Sequence, residues 1–134
     1  MLITRECDYA IRTVRALADG EIQTVREICA TEHIPQQYAY KILKKLEKAR
    51  IVNAFRGTYG GYKLYKCPTQ ITIYDILLAV NDNVIVVNEC LEEDNNCSRN
   101  TKLSPCAVHK ECRRLENLII TSLQEKTLAD LLAE

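Results

Sequence analysis

Apolar residues return at helical spacing from the start of the chain. Cys7, Ala10, Val14, Leu17 and Ala18 predict a helix over residues 8–18 with one face turned inward, broken by Asp19-Gly20. Thr24-Val-Arg-Glu27 has the spacing of a capping box and starts a short second helix that carries Val25, Ile28 and Cys29 inward. After a turn at His33-Ile34, Pro35 is expected at the first position of a third helix, where a missing N–H costs nothing. Tyr38, Ile42, Leu43, Leu46 and Ala49 mark its buried stripe. Gln36, Gln37, Tyr40, Lys41, Lys44, Lys45 and Lys48 are left on the outside.

The pattern then changes from period 3.6 to short strands. Ile51 to Phe55 and Tyr62 to Tyr65 read as a hairpin around Arg56-Gly-Thr-Tyr-Gly-Gly61, where glycine permits positive φ and close approach of backbone to a ligand or phosphate. Two short helices, a turn, a third helix with a basic outer face and a basic hairpin make a winged helix-turn-helix.

Pro68 ends that unit, and Thr72-Ile-Tyr-Asp75 caps a fourth helix that adds Ile76, Leu77 and Val80 to the core. Residues 81–96 read as an exposed acidic loop, in which Asp82, Glu89, Glu92, Glu93 and Asp94 meet no positive charge; the structure of the apolar run 84–87 is left open by the pattern. Ser104-Pro105 predicts a helix start, and Val108, Cys112, Leu115, Ile119, Ser122 and Leu123 follow one stripe of a long helix. A stripe that follows a complete small domain has little of its own chain to bury it, so pairing with a twofold mate is the economical solution. Thr127-Leu-Ala-Asp130 caps a last short helix. The expectation is a mainly α chain in three parts: a DNA-binding unit over 1–80, a cysteine-containing loop over 81–105, and a dimerisation helix with a C-terminal helix over 106–134.

Charge sharpens this picture. Across 134 residues the formal net charge is zero, but residues 1–66 hold 12 Lys and Arg against 7 Asp and Glu, whereas residues 67–134 hold 6 against 11. From Gln36 to Lys66, eight basic residues face Glu47 alone, the footprint of a polyanion-binding surface rather than only a solvated helix face. The charged opening residues, with no apolar run behind them, predict neither a signal peptide nor a membrane span, and a cytoplasmic protein whose thiols stay reduced.

Four of the seven cysteines, Cys90, Cys97, Cys106 and Cys112, fall within one short stretch that opens onto the long helix. Thiols grouped in this way point to metal binding or redox chemistry before packing. Cys106 falls in the first turn of that helix, where the dipole favours thiolate. Cys112 shares the apolar stripe with Leu115 and Ile119 and is expected to be a core or interface thiol; Cys7, Cys29 and Cys67 lie apart and read as small hydrophobes. A closed zinc site is the plain metal alternative, although the paired Cys-x-x-Cys knuckles of zinc ribbons are missing. The same absence argues against a thiol oxidoreductase, so no enzyme is expected.

The run Ile34-Pro-Gln-Gln-Tyr-Ala-Tyr-Lys-Ile-Leu43, the wing Arg56-Gly-x-x-Gly-Gly-Tyr-x-Leu64, Ile71-Thr-Ile-x-Asp-Ile76, Thr127-Leu-Ala-Asp-Leu131 and the opening Thr4 to Arg12 together resemble the Rrf-type winged-helix transcriptional regulators, including the IscR, NsrR and RirA groups. The resemblance covers nearly the whole chain. It implies a dimeric repressor or activator on a palindromic duplex, with Gln36, Gln37, Tyr40, Lys41, Lys44 and Lys45 of the third helix and Arg56, Gly57, Tyr59, Gly60 and Gly61 of the wing at the DNA. It also implies an iron–sulfur cluster, [2Fe-2S] or [4Fe-4S], on the matching Cys90, Cys97 and Cys106, whose spacing is wider than in the best-known groups. Asp8 matches the position where NsrR-like members supply a carboxylate, and His109 matches the Cys-x-x-His of IscR-like members; each also reads as an ordinary exposed or half-exposed helix residue. Cys112 is the weaker third candidate for that place. A family member that keeps the fold but senses through a protein partner or thiol oxidation is the alternative.

Overall fold

A computed structural model describes residues 3–81, 85–95 and 97–134. Six helices and one hairpin follow in the order α1 (Arg5–Ala16), α2 (Val25–Glu32), α3 (Gln36–Lys48), β1 (Val52–Phe55), β2 (Gly61–Leu64), α4 (Ile73–Val80), α5 (Ala107–Glu125) and α6 (Leu128–Ala133). Short 3-10 turns cover Pro68–Gln70 and Glu89–Leu91.

Local chemistry sets the helix starts. Thr4 caps α1 by accepting from the Cys7 N–H, one turn earlier than the apolar pattern suggested. The three expected capping boxes form: Thr24 with Glu27, Thr72 with Asp75, and Thr127 with Asp130 each exchange two hydrogen bonds. His33 ends α2 in the left-handed region at φ 54°, and Ile34 N–H then bonds to Cys29 O at 3.2 Å, which closes the turn into α3. Pro35 is the residue just before α3 rather than its first helical position.

Helices α1, α3 and α4 pack on one another around Val14, Leu17, Ile28, Ile42, Leu43, Leu46, Ile76 and Val80, all fully or almost fully buried. Two positions of the expected α3 stripe fall outside this core. Tyr38 is 43% exposed and stacks at a tilt on Tyr9, and Ala49 is exposed as the residue ending the helix. Ala39 takes the buried position instead.

The hairpin is antiparallel, with Val52 opposite Leu64 and Phe55 opposite Gly61. It is fixed to the helices by a bridge to Gln23: Gln23 N–H donates to Tyr62 O at 2.9 Å and Tyr62 N–H to Gln23 O at 2.7 Å. Gln23 directly precedes the cap of α2, so wing and helix-turn-helix are one packed unit.

Helix α5 begins at Ala107 with Cys106 at its cap, not at Ser104-Pro105. Ser104 instead joins a local turn in which its N–H donates to Thr101 Oγ1 at 3.0 Å and its carbonyl accepts from Thr101 N–H. Val108 and Leu115 of the stripe are 63% and 37% exposed and the neighbouring Leu118 is 54% exposed, so this chain leaves part of the apolar face of α5 uncovered. Leu123 packs on the core, and Leu128 N–H returns to Ile71 O at 2.7 Å to dock α6. Asp82, Val84 and Asn96 of the acidic loop lie outside the described residues. No helix among the described residues is long and apolar enough to cross a membrane.

Candidate nucleic-acid interface and cysteine site

The outer face of α3 carries Gln36, Gln37, Tyr40, Lys41 and Lys44, all exposed, with Tyr40 at 53%. At the hairpin tip Arg56 and Tyr59 are exposed as well, Tyr59 at 92%, and Gly57 adopts φ +104°. Helix face and wing tip thus present amides, phenols and cations without obstruction, the mixture that base edges and phosphates require.

Lys45 departs from that set. Its ammonium lies inward, 2.8 Å from Glu6 Oε1 and 2.9 Å from the Val80 carbonyl, and Lys41 stands 3.8 Å from the same Glu6. Lys45 therefore ties α3 to the start of α1 and to the last residue of α4, where the cysteine loop begins. The sequence placed Lys45 by its charge; nothing in the pattern singled out Glu6 as its partner.

The loop's cysteines are brought together at the root of α5. Cys90 lies on the 3-10 turn, and its thiol is pushed up by burial and by the neighbouring Cys112, Cys97 and Cys106 sulfurs. Two asparagines arrange this. Asn100 N–H donates to Cys97 O and Asn100 Oδ1 accepts from Cys106 N–H, each at 3.0 Å, while Asn88 Nδ2 approaches Cys112 Sγ at 3.6 Å. Asparagine between cysteines is a turn former and was the available signal for these positions. All four sulfurs are half-buried and free of disulfides.

A cleft of about 650 Å³ is lined by Cys90, Cys97, Cys106 and His109, and a second of about 1110 Å³ shares Cys90, Cys97 and His109. His109 Nδ1 is buried with no hydrogen-bond partner among the described residues. Among those residues no three Cys, His, Asp or Glu side chains already stand in metal-ligating arrangement. The donor set nevertheless suits iron: several soft sulfurs, and one buried imidazole nitrogen that is costly to leave without a partner.

Two candidate positions have specific partners. Cys112 is half-buried on α5 and its Sγ accepts from the Asn88 amide at 3.6 Å. Asp8 forms an ion pair with Arg12 at 3.0 Å on α1 and lines neither cleft.

A model of the Rrf2 family, described as an iron-dependent transcriptional regulator, matches residues 3–134. The chain belongs to the Rrf2 family. A Haemophilus influenzae protein named as an HTH-type transcriptional regulator is 34% identical over 98% of this chain and 86% of its own length. Among solved structures, the B. subtilis global cysteine regulator CymR superposes with a TM-score of 0.76 at 24% identity, covering 99% of this chain and 97% of that one. T. potens IscR gives 0.73 at 21%, covering 99% and 87%. At these identities the two structures share the fold with this chain. The Rrf2 chain is thus a transcriptional regulator with a mainly helical, winged fold, not an enzyme.

Proposed function

We propose that this Rrf2 regulator binds a palindromic operator as a homodimer and that an iron–sulfur cluster held by Cys90, Cys97 and Cys106 sets its affinity. The convergence of these thiols on the orphaned His109 nitrogen carries the reading. His109 is the fourth donor that this chain itself offers. When bound, the cluster supplies redox and ligand sensitivity. The protein's own part is to tie the acidic loop to α5, which orders the segment between the DNA-binding unit and the exposed stripe that a second copy would cover. Gln36, Gln37, Tyr40 and Lys41 would meet base edges, Lys44 phosphates, and Arg56, beside Gly57, a narrow minor groove.

The test is an anaerobic absorption spectrum with iron and sulfide quantified, together with binding to selected palindromic duplexes and scrambled controls. Serine at Cys90, Cys97 and Cys106 should remove the iron–sulfur absorption and change operator affinity together. A full complement of iron in the triple variant would refute the ligand assignment, and equal DNA affinity of loaded and unloaded protein would refute the switch. Arg56→Ala should weaken operator binding with unchanged thermal stability; unaltered affinity across a salt series would remove Arg56 from the interface.

A further inference from the structure

We propose that Glu6 is a positioning residue for DNA recognition: its carboxylate competes with phosphates for the Lys41 ammonium, so that Lys41 strengthens binding only where a matching base edge meets it. The inference deepens the proposed function and rests on the reading of the α3 outer face as the surface that meets DNA; it needs neither the cluster nor the cysteine loop.

Glu6 is held in place by its neighbours on α1. It lies between Thr4, whose side chain accepts from Cys7 N–H, and Cys7, which is fully buried and whose sulfur accepts from Thr4 Oγ1 and Asn81 Nδ2, each at 3.2 Å. An acid in the first turn of a helix is ordinarily a dipole partner left in water. Here the carboxylate crosses to α3 instead, with one oxygen, Oε1, 2.8 Å from Lys45 Nζ and 3.8 Å from Lys41 Nζ. Lys45 is tied a second time, inward, by the Val80 carbonyl at 2.9 Å. Lys41 has no other ion pair among the described residues, and its side chain is 65% exposed against 28% for Glu6.

On a duplex of the wrong sequence the anions within reach of Lys41 are phosphates, and a lysine that meets one releases a counterion whatever the bases are. On a matching sequence the same ammonium meets an acceptor such as guanine O6 or N7. The carboxylate opposes both contacts, but only the base edge adds a sequence-dependent gain to offset it. Glu6 therefore acts against the competitors more than against the operator, which is how a repulsive element raises specificity.

The experiment measures binding of full-length, anaerobically prepared protein to a selected palindromic duplex and a scrambled one of equal length, over a salt series, at a temperature where circular dichroism shows every variant folded. Glu6→Gln should bind the scrambled duplex more tightly, with a salt slope steeper by about 0.9, and the ratio of operator to scrambled affinity should fall roughly threefold or more. Glu6→Asp, which keeps the charge, should keep the wild-type slope. Lys45→Gln removes the same internal contact but leaves Glu6 to Lys41 alone, so its slope should be no steeper than that of wild type; a loss of specificity equal to that of Glu6→Gln would make Glu6 merely structural and overturn the proposal. In a Lys41→Ala background Glu6→Gln should no longer change the slope, and an increment that persists there overturns the assignment to Lys41. Should Lys41→Ala alone alter binding while Glu6→Gln does not, this inference fails and the α3 reading stands. Should Lys41→Ala change binding to neither duplex, the placement of Lys41 at the DNA fails, and the inference with it.

Discussion

The wing carries two glycines at positive φ whose replacement by alanine has different costs, and the difference tests whether the hairpin is anchored to the helices. At Gly57, φ is +104° and an added Cβ meets no atom within 4 Å. Gly57→Ala therefore costs only the conformational term, about 1–2 kcal/mol. At Gly61, φ is +153° and an added Cβ would lie 2.4 Å from the Gln23 carbonyl oxygen, well inside contact distance. The conformational cost is similar, but the bridge must also open, with loss of the Gln23–Tyr62 pair of hydrogen bonds at 2.9 and 2.7 Å. At about 1 kcal/mol for each net hydrogen bond, Gly61→Ala comes to about 3–4 kcal/mol.

For a chain of this size each kcal/mol lowers Tm by roughly 3–5 °C, so Gly61→Ala should melt about 9–20 °C below wild type and Gly57→Ala about 3–10 °C below, the two differing by about 6–10 °C. The assay is thermal unfolding followed by circular dichroism, with urea titration as the check on two-state behaviour. At a temperature where both variants are folded, Gly61→Ala should also bind the operator more weakly than Gly57→Ala, because the wing is no longer held against the segment leading into α2. Equal melting shifts for the two variants would refute the anchoring argument, since both share the backbone term and differ only in the bridge.

Three further outcomes follow from neighbouring features. Lys44→Ala should leave stability unchanged and reduce the salt slope of DNA binding by about 1, as expected on losing one phosphate contact, whereas Lys45→Ala should cost about 1–3 kcal/mol in urea unfolding, because it removes charge-assisted bonds to Glu6 and Val80. Cys67 is exposed and its thiol is lowered by hydrogen bonds from Thr69, while burial raises Cys29; iodoacetamide near neutral pH should label Cys67 before Cys29, and Thr69→Val should slow the Cys67 reaction. Glu27 is held below its ordinary 4.5 by hydrogen bonds from Thr24, so its contribution is complete above about pH 4.5 and is lost as pH falls through the depressed value; Glu27→Gln should flatten the acid limb of a stability profile over that range.

The fold was legible where local chemistry and periodicity agree. The capping boxes at Thr24, Thr72 and Thr127 each satisfy donors that any helix start leaves open, and the glycine-bounded hairpin follows from turn chemistry, so these elements appear where the residues announce them. Errors arose where a tertiary neighbour decides. The apolar character of Tyr38 does not show that Ala39 takes the buried position of α3, and the basic character of Lys45 does not show that Glu6 and the Val80 carbonyl will claim it. The helical stripe that holds Cys112 does not show its contact with the Asn88 amide at 3.6 Å, because the 3-10 turn that follows Asn88 at Glu89–Leu91 is invisible to periodicity.

The Lys45 contact also ties the root of the cysteine loop to α3. Val80 ends α4 immediately before the acidic segment, and its carbonyl is one of the groups that α4 leaves unpaired at its C-terminus. Lys45 satisfies that group from the recognition helix itself and is held there by Glu6, while Asn81 donates from the next residue to the buried Cys7 sulfur at 3.2 Å. The root of the loop is thus bonded to both α1 and α3. Any rearrangement that turns residues 80–81 must break or keep these bonds, and a ligand in the cysteine site can bias α3 only by interacting differently with those two arrangements. Glu6 stands 2.8 Å from Lys45 and 3.8 Å from Lys41, so the two lysines, one helical turn apart on α3, share one carboxylate, and loss of the Lys45 contact changes the partner balance of the exposed Lys41 as well.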